Sequence, residues 1–231
     1  MISAASTPLS EAHLRSTRSL DPSGRYNRHR PITGEGPAGK NAALAELDVR
    51  QPSLDDAGAL WKLASDSKTL DLNPSYAYLL WCRDYAATSA IATIGDSPAG
   101  FVTGYRRPDE PGTLMVWQVA VDERHRGRGV ARTMLDRLAD RVSDQAADSG
   151  EPIDWLETTI TDDNAASIAL FTSFAERRGA ELTRSELFQS QHFPDNHDAE
   201  RLYRIGPLSP ASGSEPVSDT DSVPGREPAA R

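Results

Sequence analysis

The sequence predicts a mixed α/β (α+β) domain of seven strands and about four helices over residues 44–207, set between two tails that carry no packing pattern. Three observations predict it. Seven short stretches read as strands, Leu44 to Arg50 and Met115 to Val121 with a period of two, and four longer ones repeat apolar residues at helical spacing. Gly, Pro and Asn punctuate the chain between them. The ends, 1–43 and 208–231, are rich in Ser, Pro and Gly without apolar periodicity, which is the composition of disordered tails.

Taken in order, Leu44 to Arg50 alternates as a strand, and Ser53 is placed to N-cap a helix with Asp55 and Asp56 in its first turn. Ala57, Leu60, Trp61, Leu63 and Ala64 line one face of that helix up to Asp66. The polar knot Asp71-Leu72-Asn73-Pro74 is a turn, and a second helix follows from Ser75. Thr88 to Ile94 and Ala99 to Arg106 read as strands of a hairpin around Gly95 to Pro98, and Arg107 to Gly112 as the next turn. Met115 to Val121 is a further strand, with Met115, Trp117, Val119 and Val121 on one face and Val116, Gln118 and Ala120 on the other. These consecutive strands are expected to be antiparallel.

A third helix begins near Gly129, on the spacing of Val130, Met134, Leu135, Leu138 and Val142. Ile153 to Ile160 is a strand, and Asp162-Asp163-Asn164 caps a fourth helix whose apolar face is Ile168, Leu170, Phe171 and Phe174. Arg177-Arg178-Gly179 closes it, with cations at the negative helix end and a Gly stop. Glu181 to Phe188 is a strand, Gln189 to Ala199 a polar loop, and Glu200 to Ile205 the last strand.

The stretch that organises the chain is Gln118 to Ala131, a strand entering a helix through Arg124-His125-Arg126-Gly127-Arg128-Gly129. The first N–H groups of a helix have no intrahelical acceptor, and here they face a basic turn. Gly127 and Gly129 permit backbone dihedrals closed to other residues and let a bulky anion approach, while Arg124, Arg126 and Arg128 add guanidinium charge. The pattern is neither a Walker loop, which ends Gly-Lys-Ser/Thr, nor the dinucleotide Gly-x-Gly-x-x-Gly. By pattern alone it is also that of a solvated basic turn or a flexible nucleic-acid-binding segment; the strand before it and the helix after it favour an anion loop. His125, among arginines, reads as solvated.

Composition narrows the classes. Of 231 residues 38% are hydrophobic, the formal charge is -9 and the pI is near 5.1, a balance that argues against a nucleic-acid partner. The first 43 residues carry six Arg or Lys against three acids, and the last 25 carry two against four, which leaves -10 for the middle. An acidic middle suits a cationic substrate and equally suits solubility. The single cysteine, Cys82, excludes an internal disulfide framework and fits a reducing compartment. No apolar run has the length of a membrane-spanning helix or a secretory core, so a cytoplasmic protein without a membrane partner is expected. The His-x-x-x-x-His of His192 and His197, with Asp195, Asp198 and Glu200, is a weak metal pattern, and no metal is expected.

Val-Ala-Val-Asp-x-x-x-Arg-Gly-x-Gly-Val-Ala resembles the acetyl-CoA pyrophosphate loop of the GNAT superfamily of N-acetyltransferases. The resemblance implies a mostly antiparallel seven-stranded sheet flanked by about four helices. It implies acetyl-CoA as co-substrate, with its pantetheine arm on the backbone of Val119, Ala120 and Val121 and its diphosphate on the N–H groups of Arg126, Gly127, Arg128, Gly129, Val130 and Ala131. Asn164-x-x-Ser167-x-x-Leu170-Phe171 resembles a second superfamily run, whose Asn contacts the cofactor arm; a plain helix N-cap is the alternative for Asn164. Where many relatives carry a tyrosine to protonate the leaving thiolate, this chain has Phe171, which has no proton to give. Tyr203 or a water is then the expected acid, unless the thiolate leaves unaided.

A closer resemblance lies in Thr69 to Asp84, Trp117 to Val121, Leu156 to Asn164 and His197 to Pro207. Over about residues 46–207 these blocks resemble the diaminobutyrate acetyltransferases of ectoine synthesis. That implies acetyl transfer to the 4-amino group of L-2,4-diaminobutyrate, an osmoprotective setting and a homodimer. By this resemblance Asp71, Tyr76, Trp117, His197 and Glu200 form the substrate pocket, to which the Asn73 amide is suited to add a donor for the carboxylate, and Glu157 and His197 are rival general bases. From residue type alone, Asp71 is equally a helix-start residue and Trp117 equally a core residue. Two rival functions stay open at this point: acetylation of another small amine or a protein N-terminus, and a non-catalytic acyl-CoA sensor, which Phe171 motivates.

Overall fold

The structure is a computed structural model and describes residues 47–67, 70–195 and 197–208; the expected tails 1–43 and 209–231 lie outside the described residues. In chain order the elements are β1 (Leu47–Arg50), α1 (Ala57–Ser67), α2 (Ser75–Arg83), β2 (Ala90–Ile94), β3 (Ser97–Arg107), β4 (Glu110–Val121), α3 (Val130–Ser149), β5 (Trp155–Thr161), α4 (Ala165–Arg178), β6 (Glu181–Phe188) and β7 (Glu200–Gly206). Leu208, assigned to the tail by composition, belongs to the domain: its N–H donates to the Asp154 carbonyl at 2.8 Å and its side chain packs against the core.

The strands form one seven-stranded sheet in the order β1-β2-β3-β4-β5-β7-β6. Every neighbouring pair is antiparallel except β4 and β5, which run parallel because α3 crosses over between them. Helices cover both faces. On one, Met134, Leu135 and Leu138 of α3 and Phe171 and Phe174 of α4 pack on Val102, Leu114, Val116, Leu156 and Ile205. On the other, Leu60 and Leu63 of α1 and Tyr78 and Cys82 of α2 pack on Ile91, Phe101 and Ala120. Cys82 is thus a core thiol, and burial pushes its pKa up to about 11.

Several boundaries moved for local reasons. Ser53 heads a single 3-10 turn, Leu54–Asp56, before α1 begins. Asp56 closes it by accepting from the Ser53 N–H at 2.7 Å and from both forks of Arg50 at 2.7 Å. Thr88, expected to begin a strand, instead ends another 3-10 turn, Ala86–Thr88. The Thr88 hydroxyl there donates to the Gly104 carbonyl at 2.6 Å. The turn expected over 107–112 shrinks to Pro108-Asp109, because Arg107 pairs with Glu110 and the hairpin continues outward.

Strand β4 departs from strict alternation. In its pairing with β3, Val116 faces Gly104 and Gln118 faces Thr103, so Trp117 is an extra residue, a β-bulge. Its consequence is a change of face. Leu114 and Val116 before the bulge, and Val119 and Val121 after it, pack toward α3 and α4, while Trp117 and Gln118 both turn to α2.

Candidate active site

β4 and β5 pair over Thr113↔Trp155 to Val116↔Thr158 and then part. From Trp117 to Val121, β4 keeps β3 on one side and leaves its backbone unpaired on the β5 side. Groups that would complete a sheet ladder are therefore open to a ligand in the gap.

At the end of β4 a 3-10 turn, Glu123–His125, leads to Gly127 at φ 70° and Gly129 at φ 83°. Both glycines occupy the left-handed region that a Cβ disfavours. Gly129 is the N-cap of α3 and offers no side chain, and the first helical bond is Thr133 N–H to Gly129 O at 2.9 Å. The N–H groups of Val130, Ala131 and Arg132 are left without helical acceptors at the positive end of a 20-residue helix.

A cavity of about 490 Å³ opens there. Val119, Val121, Arg126, Gly127, Gly129, Val130 and Ala131 line it. Ala120 does not, since its side chain packs between β4 and α1, and Arg128 is not among the lining residues. Arg126 is fixed by donating to the carbonyls of Val121 at 3.2 Å and Ser67 at 3.4 Å. Arg124 is turned back on Asp122, in a two-pronged pair at 2.8 and 2.9 Å that holds the Asp122 carboxyl at about 2.

His125 corrects its sequence reading. It is half-buried and lines the cavity, and its Nδ1 is buried without a hydrogen-bond partner. The far wall is a stripe of α4, Ala166, Leu170, Ser173 and Arg177, which recurs at i, i+4, i+7 and i+11. Arg177, taken from sequence as a helix-end cation, reaches Asp136 at 3.1 Å and Ser173 at 2.7 Å on that wall. Asn164 does not line the cavity; its side chain accepts from the Ser167 N–H at 3.1 Å, so its observed part is the N-cap. Phe171 is 2% exposed in the core and its ring does not reach the cavity lining.

A second cluster gathers polar side chains from distant segments. His197 Nε2 lies 3.2 Å from the Asp71 carboxylate and 3.8 Å from that of Glu200. Glu200 is held in turn by the Thr159 hydroxyl, on β5 just beyond the point where β4 leaves it. His197 Nδ1 is 2.7 Å from the Asp198 carbonyl. A carbonyl only accepts, so Nδ1 carries the proton and Nε2 is the titrating nitrogen. The bond to Asp198, with the Asp71 and Glu200 charges behind it, raises the His197 pKa. Phe193 stacks on the imidazole at 4.6 Å between centroids.

The remaining expected residues divide. Trp117 is 40% exposed on the bulge, tilted against Trp81 at 4.9 Å, so it is not simple core. Tyr76, in the first turn of α2, is 65% exposed. The Asn73 amide donates to the Asp71 carbonyl at 3.3 Å, a bond within the loop. Glu157 is 2% exposed and held by Arg107 at 3.1 Å and Arg204 at 2.5 Å, with Glu110 bridging the two arginines from outside. That is the setting of a structural counter-ion, in contrast to His197 Nε2. Tyr203 is 3% exposed in the core, its ring beside the Arg184 guanidinium, and does not line the cavity.

An acetyltransferase (GNAT) family model matches residues 57–176, from α1 through the loop to α4. The chain belongs to that family. Within it, the L-2,4-diaminobutyric acid acetyltransferase of Streptomyces coelicolor is 59% identical over 170 residues, covering 73% of this chain and 97% of that one. The enzyme of the same name from Nocardia farcinica is 46% identical over 180 residues, covering 78% and 89%. Among solved structures, the diaminobutyrate acetyltransferase EctA from Paenibacillus lautus, in complex with its substrate L-2,4-diaminobutyric acid and coenzyme A, superposes with a TM-score of 0.64 at 34% identity, over 70% of this chain and 95% of that one. No helix among the described residues is long and apolar enough to cross a membrane, and no group of three or more His, Cys, Asp or Glu among them could hold a metal ion.

Proposed function

We propose that this chain transfers the acetyl group of acetyl-CoA to the 4-amino group of L-2,4-diaminobutyrate. The observation that carries the reading is the placement of His197 Nε2 between two carboxylates, Asp71 and Glu200, next to strands that part as a pantetheine arm requires. The relatives bearing that name and the Paenibacillus complex with diaminobutyrate and coenzyme A support it.

The diphosphate binds the N–H groups of the Gly127 to Ala131 turn, beside Arg126. The arm pairs with the open edge of β4, which brings the thioester to the bulge at Trp117. The diamine arrives as an ammonium with a pKa near ~10.4 and is attracted to Asp71 and Glu200. Its charge opposes the proton on His197, lowers that pKa, and leaves Nε2 free to take the proton of the attacking amine. The free amine adds to the thioester carbonyl, a β4 N–H stabilises the oxyanion, and the thiolate departs, taking a proton from water or the imidazolium. His197 is the base in this scheme and Glu157 is not.

A homodimer is part of the proposal. Leu72, Leu79, Tyr85 and Trp117 near the α2 face and Leu187 and Phe188 on the edge strand β6 are 40 to 48% exposed, an apolar set suited to a second copy. The setting we assign is the bacterial cytoplasm under osmotic stress, in the supply of acetylated diaminobutyrate for ectoine.

The test is incubation of the chain with acetyl-CoA and a panel of amines, read by thiol release, with mass spectrometry and NMR of the product. Acetate on the 4-amino group of diaminobutyrate, at a rate well above that for polyamines or peptides, is the expected result. Thiol release with another amine alone overturns the substrate, and cofactor binding without any thiol release overturns the enzyme.

A further inference from the structure

The loop that bears Asp71 joins α1 to α2, and the Asp71 side chain is 83% exposed. Something must nevertheless hold that loop in register with β4, where the thioester is delivered. Gln118 makes the connection. Its Nε2 donates to the Asp71 carbonyl at 3.0 Å, and its Oε1 accepts from the Tyr78 hydroxyl at 3.3 Å. Gln118 is 6% exposed and Tyr78 is fully buried on α2, so the bond between them lies out of water's reach, while the bond to the Asp71 carbonyl is partly buried.

The two bonds are not interchangeable. An amide has a donor end and an acceptor end, and a buried amide must satisfy both. A hydroxyl proton from Tyr78 fixes Oε1, which aims Nε2 at the Asp71 carbonyl; a flipped amide would set oxygen against oxygen. The bulge at Trp117 makes this geometry available, because without the extra residue Gln118 would sit on the opposite face from Trp117 rather than on α2 beside it.

We propose that Gln118, oriented by Tyr78, is a positioning residue that ties the substrate loop to the cofactor strand and sets the place of the Asp71 carboxylate relative to the acetyl group. The inference rests on the reading of Asp71 as a substrate residue. It assigns to one strand two adjacent tasks: Trp117 walls the transfer point, and Gln118 locates the anion that brings the amine to it.

The test uses the full chain and three variants. Gln118→Met keeps the length and removes both polar ends, Gln118→Glu keeps an acceptor for Tyr78 and removes the donor to Asp71, and Tyr78→Phe removes the orienting hydroxyl together with its hydrogen bonding to Asn73. Gln118→Met and Gln118→Glu should raise the KM for diaminobutyrate about tenfold, the equivalent of one hydrogen bond, with the KM for acetyl-CoA within about twofold of the parent. Tyr78→Phe should show the same split to a smaller degree. On an Asp71→Ala background, Gln118→Met should cost nothing further in kcat/KM, because its effect runs through Asp71. Equal rises in both KM values, a melting-temperature loss with no KM split, or additivity with Asp71→Ala would each overturn the proposal. A parent chain that acetylates no diaminobutyrate would instead sink the functional reading itself.

Discussion

His197 Nε2 and the Asp71 carboxylate stand 3.2 Å apart across 126 residues of sequence. The contact joins the loop before β7 to the loop before α2 and sets a titrating nitrogen against an anion. The bond of Nδ1 to the Asp198 carbonyl, and then the Asp71 and Glu200 charges, hold the His197 pKa above its ordinary value. A base must be neutral to act, so the kcat/KM of the parent enzyme should rise with pH through an inflection above ~6.5. Asp71→Asn removes one raising influence, so its inflection should lie at lower pH. A pH profile of thiol release measures both, and an inflection unmoved by Asp71→Asn would place the titrating group elsewhere.

The same carboxylates define the amine site. Asp71→Asn and Glu200→Gln should each lower kcat/KM for diaminobutyrate by about tenfold to a hundredfold, as loss of a charge-assisted contact does, and leave the KM for acetyl-CoA unchanged. Initial rates with each substrate varied in turn decide the matter. A change confined to the cofactor would contradict the pocket.

Glu157 and His197 separate cleanly in a pair of variants. Glu157→Gln takes the charge from between Arg107 and Arg204, so thermal stability should fall by about 1–3 kcal/mol. Its kcat should stay within severalfold of the parent. His197→Ala should keep stability and lose about a hundredfold in kcat, the order expected of a positioned base. The reverse pattern, measured by melting and single-turnover rates, would make Glu157 the base.

Gly129 caps α3 at φ 83° with helical N–H groups aimed past it. Gly129→Val should raise the KM for acetyl-CoA more than tenfold, from backbone strain of about 1–2 kcal/mol together with obstruction of the diphosphate. Gly127→Val, at φ 70° with nothing near its missing Cβ, should act through backbone strain and the ligand alone. Unchanged cofactor KM values in both would refute the loop assignment.

Away from the site, Asp56 reports on how β1 is joined to α1. The Arg50 guanidinium and the Ser53 donors hold its carboxyl at about 2, below the usual 3.8. A depressed carboxylate contributes stability above its unfolded pKa and loses it as pH falls through its folded one. Asp56→Asn should therefore cost about 1 kcal/mol near neutrality, the pair being half open to solvent, and the difference should fade from pH ~4 to pH ~2. Denaturant melts at several pH values test this.

Much of the molecule was legible because its causes are local. The apolar face of α3, the Asn164 cap, the Gly179 stop and the strand, glycine turn and helix around Gly127 and Gly129 each depend on residues within a turn or two of one another. The cavity wall on α4 carried a readable signal too, the spacing of Ala166, Leu170, Ser173 and Arg177, although the Arg177 charge suggested only a helix end. Residue likeness also grouped Asp71, His197 and Glu200 in one pocket, without giving the contact of His197 with the two carboxylates.

The sequence by itself determined the elements, their order and the anion loop, since backbone dihedrals and side-chain periods act over a few residues. Only the tertiary structure decided that a bulge at Trp117 turns Gln118 onto α2, that His125 folds into the cavity wall, that Glu157 is enclosed by Arg107 and Arg204, and that Asp71 and His197 touch. Each of these is a pairing register or a contact between distant segments. Its energy comes from which surfaces the fold brings together, and no window of neighbouring residues contains that information.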